Sequence, residues 1–273
     1  MREHRMEHND LIVVCGDPIK DVYLKECVDE KNKIRTEEII IRPGGALNVL
    51  ENIASIIGIE SLWFEPREIP QDLYTIIRPS MVGREIFLTE ESKKMKHYVE
   101  STIDIDSAIQ YFEKEFNRTG LVLADYNKGM LNRSDPFYDD VRHEFDFCMV
   151  DSKYRSVNTN LFKTCKVKIW HATNQEYCSE FAKNFDWVFH TNAEQPVVLK
   201  KNNKVVATLE VPQTKINNTC GAGDTFTAST ASFLLRKVEE INEETLKQAA
   251  QFAIDCCQEV IKEPYTAITT AKL

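Results

Sequence analysis

The sequence predicts an α/β fold built on a mostly parallel sheet. Three observations support this. Short apolar runs alternate with longer helical stretches along the chain, the pattern of strand–helix–strand units. Runs such as Leu11–Cys15 and Leu121–Ala124 are continuously apolar, as in strands buried on both faces. Several runs end in a polar residue, namely Asp17, Asp125, Asp151 and Asn174. The crevice beyond the strand C-termini is where open parallel sheets bind ligands. Capping of the following helix is the other use for such residues.

In chain order, Leu11 to Cys15 reads as a buried strand ending at Gly16-Asp17-Pro18. Residues 22–41 alternate and are charged, and Glu38 to Ile41 reads as a half-exposed strand of a small flap. Arg42-Pro43-Gly44-Gly45 is expected to turn the chain into a helix from Ala46 to Ile57, stopped by Gly58. Short strands are expected over 61–88, around Pro66, Pro70 and Pro79, and an amphipathic helix over Ile103 to Phe116. Further strands are Phe147–Val150, Val167–Ala172, Trp187–His190, Val197–Leu199 and Val205–Val211. Helices over Thr225–Leu235 and Glu244–Ile261 close the chain. There are no repeats or low-complexity tracts, and 1–273 reads as a single domain.

Composition narrows the function classes. A net charge of -9 argues against a general nucleic-acid binder, which needs a basic face. There is no apolar run long enough to span a membrane. The polar stretch Met1 to Asp10 lacks the apolar core of a secretory signal, so the expected location is cytoplasmic. The eight cysteines show no CxxC spacing and have no His pair at ligand spacing. They are expected to be reduced and mostly buried.

The chemistry is expected at Gly221-Ala222-Gly223-Asp224-Thr225, ahead of a helix rich in small and apolar residues. Glycines there let backbone N–H groups converge on an anion, and the helix N-terminus favours phosphate. An Asp at that point would repel the phosphate, but it suits a base for a substrate hydroxyl. A glycine-rich turn with Asp224 as helix cap is the other reading of this run.

The wider pattern resembles the ribokinase, or PfkB, family of carbohydrate kinases. Asn218 to Asp224 resembles the family's D-T-x-G-A-G-D signature. Arg42 to Val49 resembles its P-G-G-A-A-N-V-A run, and Gly16-Asp17 with Asp21 resembles its G-D-x-x-x-D. Leu123 to Gly129 looks like the S-D-Y-x-K-G of bacterial D-glycero-D-manno-heptose 7-phosphate kinases. Val150 to Lys153 looks like their V-D-P-K, and Tyr265-Thr266-Ala267 falls where they have G-T-A.

The resemblance implies a ribokinase-like fold with helices on both sheet faces and a β lid from about 22–42 and 74–88. It implies ATP and Mg²⁺, with Asp224 as base and the N–H groups of Gly221, Ala222 and Gly223 as anion hole. Asp17, Asp21, Gly44, Gly45 and Asn48 would hold the sugar. Lys128, and Arg84 from the lid, would meet a phosphate already on it. Asn174, Glu176, Thr191 and Lys153 would serve the nucleotide, with Glu176 also serving the metal. The acceptor implied is a sugar or sugar phosphate, with heptose 7-phosphate first, and the lid implies a homodimer.

The pattern is broken mainly on the nucleotide side. Asn218 replaces the signature's first Asp, which weakens any hard-cation site there. The family's N-x-x-E becomes Asn174-Gln175-Glu176-Tyr177, so either Glu176 serves from a shifted position or Glu180 replaces it. The T-x-G-x-x-G loop becomes Thr191 to Pro196 without its glycines, and Ile254 stands for an Asn of the adenine-side helix. The stretch from Ile59 to Tyr74 is short, so one sheet edge is expected to be trimmed. The alternative function is therefore a catalytically impaired protein that binds a sugar phosphate or nucleotide sugar.

Overall fold

The computed structural model describes residues 10–31, 33–58, 62–65, 74–79, 86–87, 116–128, 131, 144–155, 157–237 and 239–273. The expected helix over Ile103 to Phe116 lies, apart from Phe116, outside the described residues, as do Arg84 and Gly129.

The strands are β1 (Asp10–Gly16), β2 (Pro18–Val28), β3 (Ile34–Gly45), β4 (Leu62–Glu65), β5 (Tyr74–Pro79) and β6 (Ile86–Phe87), followed by β7 (Arg118–Asp125), β8 (Phe147–Ser152), β9 (Val167–Thr173), β10 (Trp187–Asn192), β11 (Gln195–Lys201) and β12 (Lys204–Leu209). The helices used below are α1 (Ala46–Ile57), α2 (Ala222–Lys237) and α3 (Glu243–Val260).

The fold is α/β, as the alternation of elements predicts. Its central sheet runs β12-β11-β10-β9-β8-β7-β1-β4. The strands from β4 to β10 in that order pair in parallel, while β11 and β12 return antiparallel. A β-strand presents successive side chains to opposite faces, and on β1 both faces are covered. Ile12 and Val14 join the core under α1, α2 and α3, while Leu11, Val13 and Cys15 join a second core with Phe162, Trp170 and Phe185. This explains why β1 reads as a continuous apolar run. On the second face the described cover includes the 3-10 turn Thr159–Phe162 and the one-turn helix Ser179–Ala182. Strand β4 ends the sheet beside β1, at the edge expected to be trimmed. Among the described residues no helix is long and apolar enough to cross a membrane. All eight cysteines are free; Cys15, Cys148, Cys165 and Cys256 are buried and the other four half-buried.

The second sheet, β3-β2-β5-β6, is the lid. It begins at Pro18, earlier than expected, so Asp21 rides on the lid itself. The expected turn at Arg42 to Gly45 is strand instead. Asp21 to Pro18 pair with Arg42 to Gly45 in unbroken register, because Pro43 contributes a carbonyl and gives up only a donor. The chain turns at Gly45 alone, whose φ of 56° lies in the left-handed region. Helix α1 then runs to Ile57, and the N–H of Gly58 closes it on Ala54 O at 3.0 Å. Ala46, Val49, Ile53 and Ile56 form its buried stripe.

The last helices also start earlier than expected. Helix α2 begins at Ala222 rather than Thr225, which places Gly223 and Asp224 inside its first turn. Helix α3 opens at Asn242 with a reciprocal capping box to Thr245.

A Cβ at Gly45 would sit 2.7 Å from Asp17 O, in a conformation that L side chains avoid. Gly45→Ala is expected to cost about 2 kcal/mol or more. Chemical denaturation checks this, and a midpoint shift under about 0.5 kcal/mol would contradict the register described.

Candidate active site

The acids at the strand ends fasten loops to one another. Asp17 is fully buried after β1, and its Oδ2 accepts the N–H groups of Tyr126 and Lys128 at 2.8 and 3.0 Å. Asp125 accepts from Asn127 N–H at 2.9 Å and from Ser152 Oγ at 2.6 Å. Asp151 accepts from Lys153 Nζ at 3.1 Å and Thr227 Oγ1 at 3.4 Å, and lies 3.6 Å from His171 Nδ1. Among the described residues, none of these bonds caps a helix N-terminus. Asn174 is exposed in the turn after β9.

Asp224 points inward from the first turn of α2. It is 4% exposed. Its Oδ1 accepts the Tyr126 hydroxyl, and its Oδ2 accepts Asn48 Nδ2 at 3.0 Å. Burial pushes its carboxyl up to about 6. The ammonium of Lys153 opposes that shift, Asp151 adds to it, and the bonds from Tyr126 and Asn48 restrain it. The group is thus ionised at neutral pH yet close to taking a proton, as a general base requires.

The preceding loop is shaped for close approach. Gly221 has φ 83°, and a Cβ there would sit 2.6 Å from Asn48 Nδ2 and 2.9 Å from Thr266 Cγ2. The Ala222 N–H turns back to Thr219 O at 3.2 Å, so it is already engaged. The first turn of a helix leaves its other N–H groups without intrahelical partners, and the dipole adds partial positive charge.

Lys153 stands above that turn. A Cβ on Gly223 would lie 3.6 Å from its Nζ. Nζ also lies 3.8 Å from Glu176 Oε1 and 5.1 Å from the Tyr126 ring centroid. Burial alone would lower the Lys153 pKa, but Asp151, then Glu176 and Asp224, raise it above the usual lysine range. Burial pushes Asp151 upward, yet Lys153 and His171 hold it well below the usual carboxylate range. Lys153 is therefore a fixed positive charge. Glu176 is buried, with Oε2 accepting the Thr173 N–H at 2.8 Å. Glu180 is exposed and paired with Lys183, so of the two glutamates Glu176 is the one in the site.

A cavity of about 340 Å³ opens beside Ala222 and Gly223. Its apolar walls include Val197, Val211, Phe226 and Ile254, with Thr173 and Thr191 as polar lining. Thr191 Oγ1 is 3.0 Å from His171 Nε2. Ala193 holds φ 47°, so the hairpin keeps a left-handed backbone without glycine.

Asp17, Asp21, Gly44 and Gly45 are all buried, and a Cβ on Gly44 would sit 2.9 Å from Asp21 Oδ2. Asn48 is buried with them, but its amide is directed at Asp224 and, at 3.5 Å, at Gly221 O. Thr266 Oγ1 donates to Asp21 Oδ2 at 3.2 Å and lies 2.5 Å from the Tyr23 hydroxyl. Asn218, where an acid was expected, bonds Cys220 N–H at 3.0 Å and reaches Tyr23 and Pro264 at 3.4 Å each. Lys128 is half-buried beside Asp17 through its backbone. Tyr126, His171, Tyr23 and Thr266 are functional candidates that the motifs did not single out by role. Tyr126 stood inside a matched run, and its place directly after a strand-end acid was the available signal.

Residues 147–272 match the pfkB family carbohydrate kinase. With that match, the chain is a phosphotransferase acting on an alcohol group. Solved structures show that the fold is ribokinase-like, and three of those it resembles are kinases. A ribokinase from Thermotoga maritima is 15% identical at a TM-score of 0.62, with 94% of each chain covered. Aminoimidazole riboside kinase from Salmonella enterica, complexed with aminoimidazole riboside and an ATP analog, is 12% identical at 0.62, covering 96% of this chain and 97% of that one. Phosphofructokinase-2 from Escherichia coli is 13% identical at 0.61, with 96% of each covered. No curated protein matches the sequence.

The state of Asp224 has a sign. Its proton affinity is higher in the folded kinase, at about 6, than the ordinary value of 3.8. The folded state is therefore favoured as pH falls from above 6 toward 4, and is penalised above 6. Asp224→Asn is expected to raise stability at pH 8 by about 2 kcal/mol while abolishing activity. Thermal unfolding of both proteins at pH 8 and pH 5 checks this. A variant less stable than wild type at pH 8 contradicts it.

Proposed function

We propose that the chain transfers the terminal phosphoryl group of ATP to a hydroxyl of a sugar phosphate, with heptose 7-phosphate as the first acceptor to test. The observation carrying this reading is the buried, proton-hungry Asp224, in the first turn of α2 directly after the Ala222 and Gly223 that line the apolar cavity. The nucleotide base would occupy the cavity beside Val197 and Ile254, and its phosphates would reach the start of α2. The acceptor would lie under the lid against Asp17, Asp21, Gly44 and Gly45. Asp224 takes the acceptor proton, the freed oxygen attacks the terminal phosphorus, and the bond to the leaving ADP breaks. The N–H groups of Gly221 and Gly223 and the Lys153 ammonium stabilise charge on the moving group. A phosphate already on the sugar would meet Lys128.

Among the described residues no group of three or more His, Cys, Asp or Glu is arranged to hold a metal. Mg²⁺ is commonly held by one or two carboxylates plus substrate phosphates. Glu176 would supply the carboxylate, and the ion would neutralise phosphate charge.

The impaired-binder reading draws on Asn218, which fills its corner with its own bonds. The left-handed Ala193 weighs for a working nucleotide loop. Turnover of ATP across a panel of sugars and sugar phosphates decides. Lys153→Met is expected to lower kcat by about 10²- to 10³-fold. Equal turnover by Lys153→Met or Asp224→Asn would sink the mechanism. Calorimetry showing tight sugar-phosphate binding without ATP binding would favour the binder.

The lid supports self-association. Among the described residues strand β3 is an edge, with Ile39 62% and Ile41 58% exposed, and Val28 and Ile34 are exposed near its far end. An uncovered apolar edge strand is a template for another chain, and a second copy supplies the same edge. The expected state is a homodimer clasped through the lid. Sedimentation should give a dimer for wild type and a monomer for Ile39→Lys with Ile41→Lys, whereas a monomeric wild type refutes it.

A further inference from the structure

We propose that Tyr126 is a positioning residue for the base: its hydroxyl orients Asp224 and keeps the carboxylate ionised in its buried site. The inference rests on the phosphotransfer reading for its role but on geometry for its existence. Tyr126 sits where three parts of the site meet. Its backbone N–H donates to Asp17 Oδ2 at 2.8 Å, its ring lies 5.1 Å from Lys153 Nζ, and its hydroxyl donates to Asp224 Oδ1. One rigid side chain thus sets the distance from the acceptor-side acid to the base and to the cation above the helix start. Asn48 holds the other oxygen, Oδ2, and is itself held by Asn52, whose Nδ2 donates to Asn48 Oδ1 at 3.1 Å. With both oxygens gripped, the carboxylate has one orientation, and each oxygen keeps a lone pair for a substrate proton.

Other ionisable groups around Asp224 do not make Tyr126 redundant. Lys153 and Asp151 face it from β8 and the turn that follows, Cys257 from α3, and His171 from β9 beside Gly223. Asp21 on the lid adds negative charge near Tyr126. Lys153 is shared with Asp151 and Glu176, so its charge is divided among three acids. The Tyr126 phenol, by contrast, donates directly to Asp224. Burial and then the Asp224 charge push the Tyr126 phenol well above its ordinary range, so it remains a donor at any working pH.

Tyr126→Phe removes one oxygen and keeps the ring. The bond favours ionised Asp224, so its loss raises the carboxyl's proton affinity. The acid limb of kcat/KM is expected to move up by about one to two pH units, and kcat at pH 6 to fall about 10-fold or more, with KM for ATP unchanged. A role in folding alone would leave the limb in place. Carbon-13 titration of the Asp224 carboxyl, assigned by its loss in Asp224→Asn, reads the same shift without turnover. It therefore separates failure of this inference from failure of the kinase reading. Should Tyr126→Phe not fold, ultraviolet titration of the nine tyrosines in Asp224→Asn reads the bond from the other end. One phenol is then expected to ionise at lower pH than in wild type. An unmoved carboxyl titration in Tyr126→Phe, or superimposable tyrosine titrations in Asp224→Asn, overturns the proposal.

Discussion

The site depends on keeping one carboxylate charged where water does not reach it. Asp224 is 4% exposed, and an isolated charge so placed would simply take up a proton. Support comes from three directions: hydrogen bonds from Asn48 on α1 and from Tyr126 at the end of β7, and the positive charge of Lys153 in the turn after β8. Each comes from a different part of the central fold, so the parallel strand order matters for chemistry. It brings the ends of β1, β7, β8 and β9 to one rim, over which α2 begins.

The same rim explains the acids at the strand ends. Asp17, Asp125 and Asp151 each accept from loop or side-chain donors, and together they stitch adjacent strand ends. Asp151 does this while holding Lys153 fixed, and its tie to His171 and Thr227 links it to β9 and α2. A cation restrained in this way needs little reorganisation when negative charge moves past it, the condition under which electrostatic stabilisation is strongest. The lid joins the arrangement through Thr266, which touches Asp21, Tyr23 and the close approach at Gly221.

Much of this is legible in the sequence. Helix α1 runs from Ala46 to Ile57 with Gly58 as its stop, as read from apolar spacing. Residues 10–16 form a buried strand because both faces are apolar. The misreadings have local causes. Arg42 to Gly45 looks like a turn because Pro and Gly dominate it, yet pairing with β2 holds it extended up to Gly45. Gly223 suggested that α2 starts later, but the helix forms through it because the tertiary bonds of Asp224 and Thr225 to α1 hold the first turn in place.

The sequence by itself determined the alternation of elements, the glycine-rich start of α2 and the acids at strand ends, because these follow from spacing and residue type along the chain. Only the tertiary structure decided how those groups act on one another. The resemblance implies that Asn48 holds the sugar, and it is the crossing of α1 and α2 that turns its amide to Asp224. Tyr126 and Asp224 stand 98 residues apart, and no periodicity connects them. Their contact, and with it the proton affinity of the Asp224 carboxylate, exists because parallel strands bring their ends to one edge of the sheet.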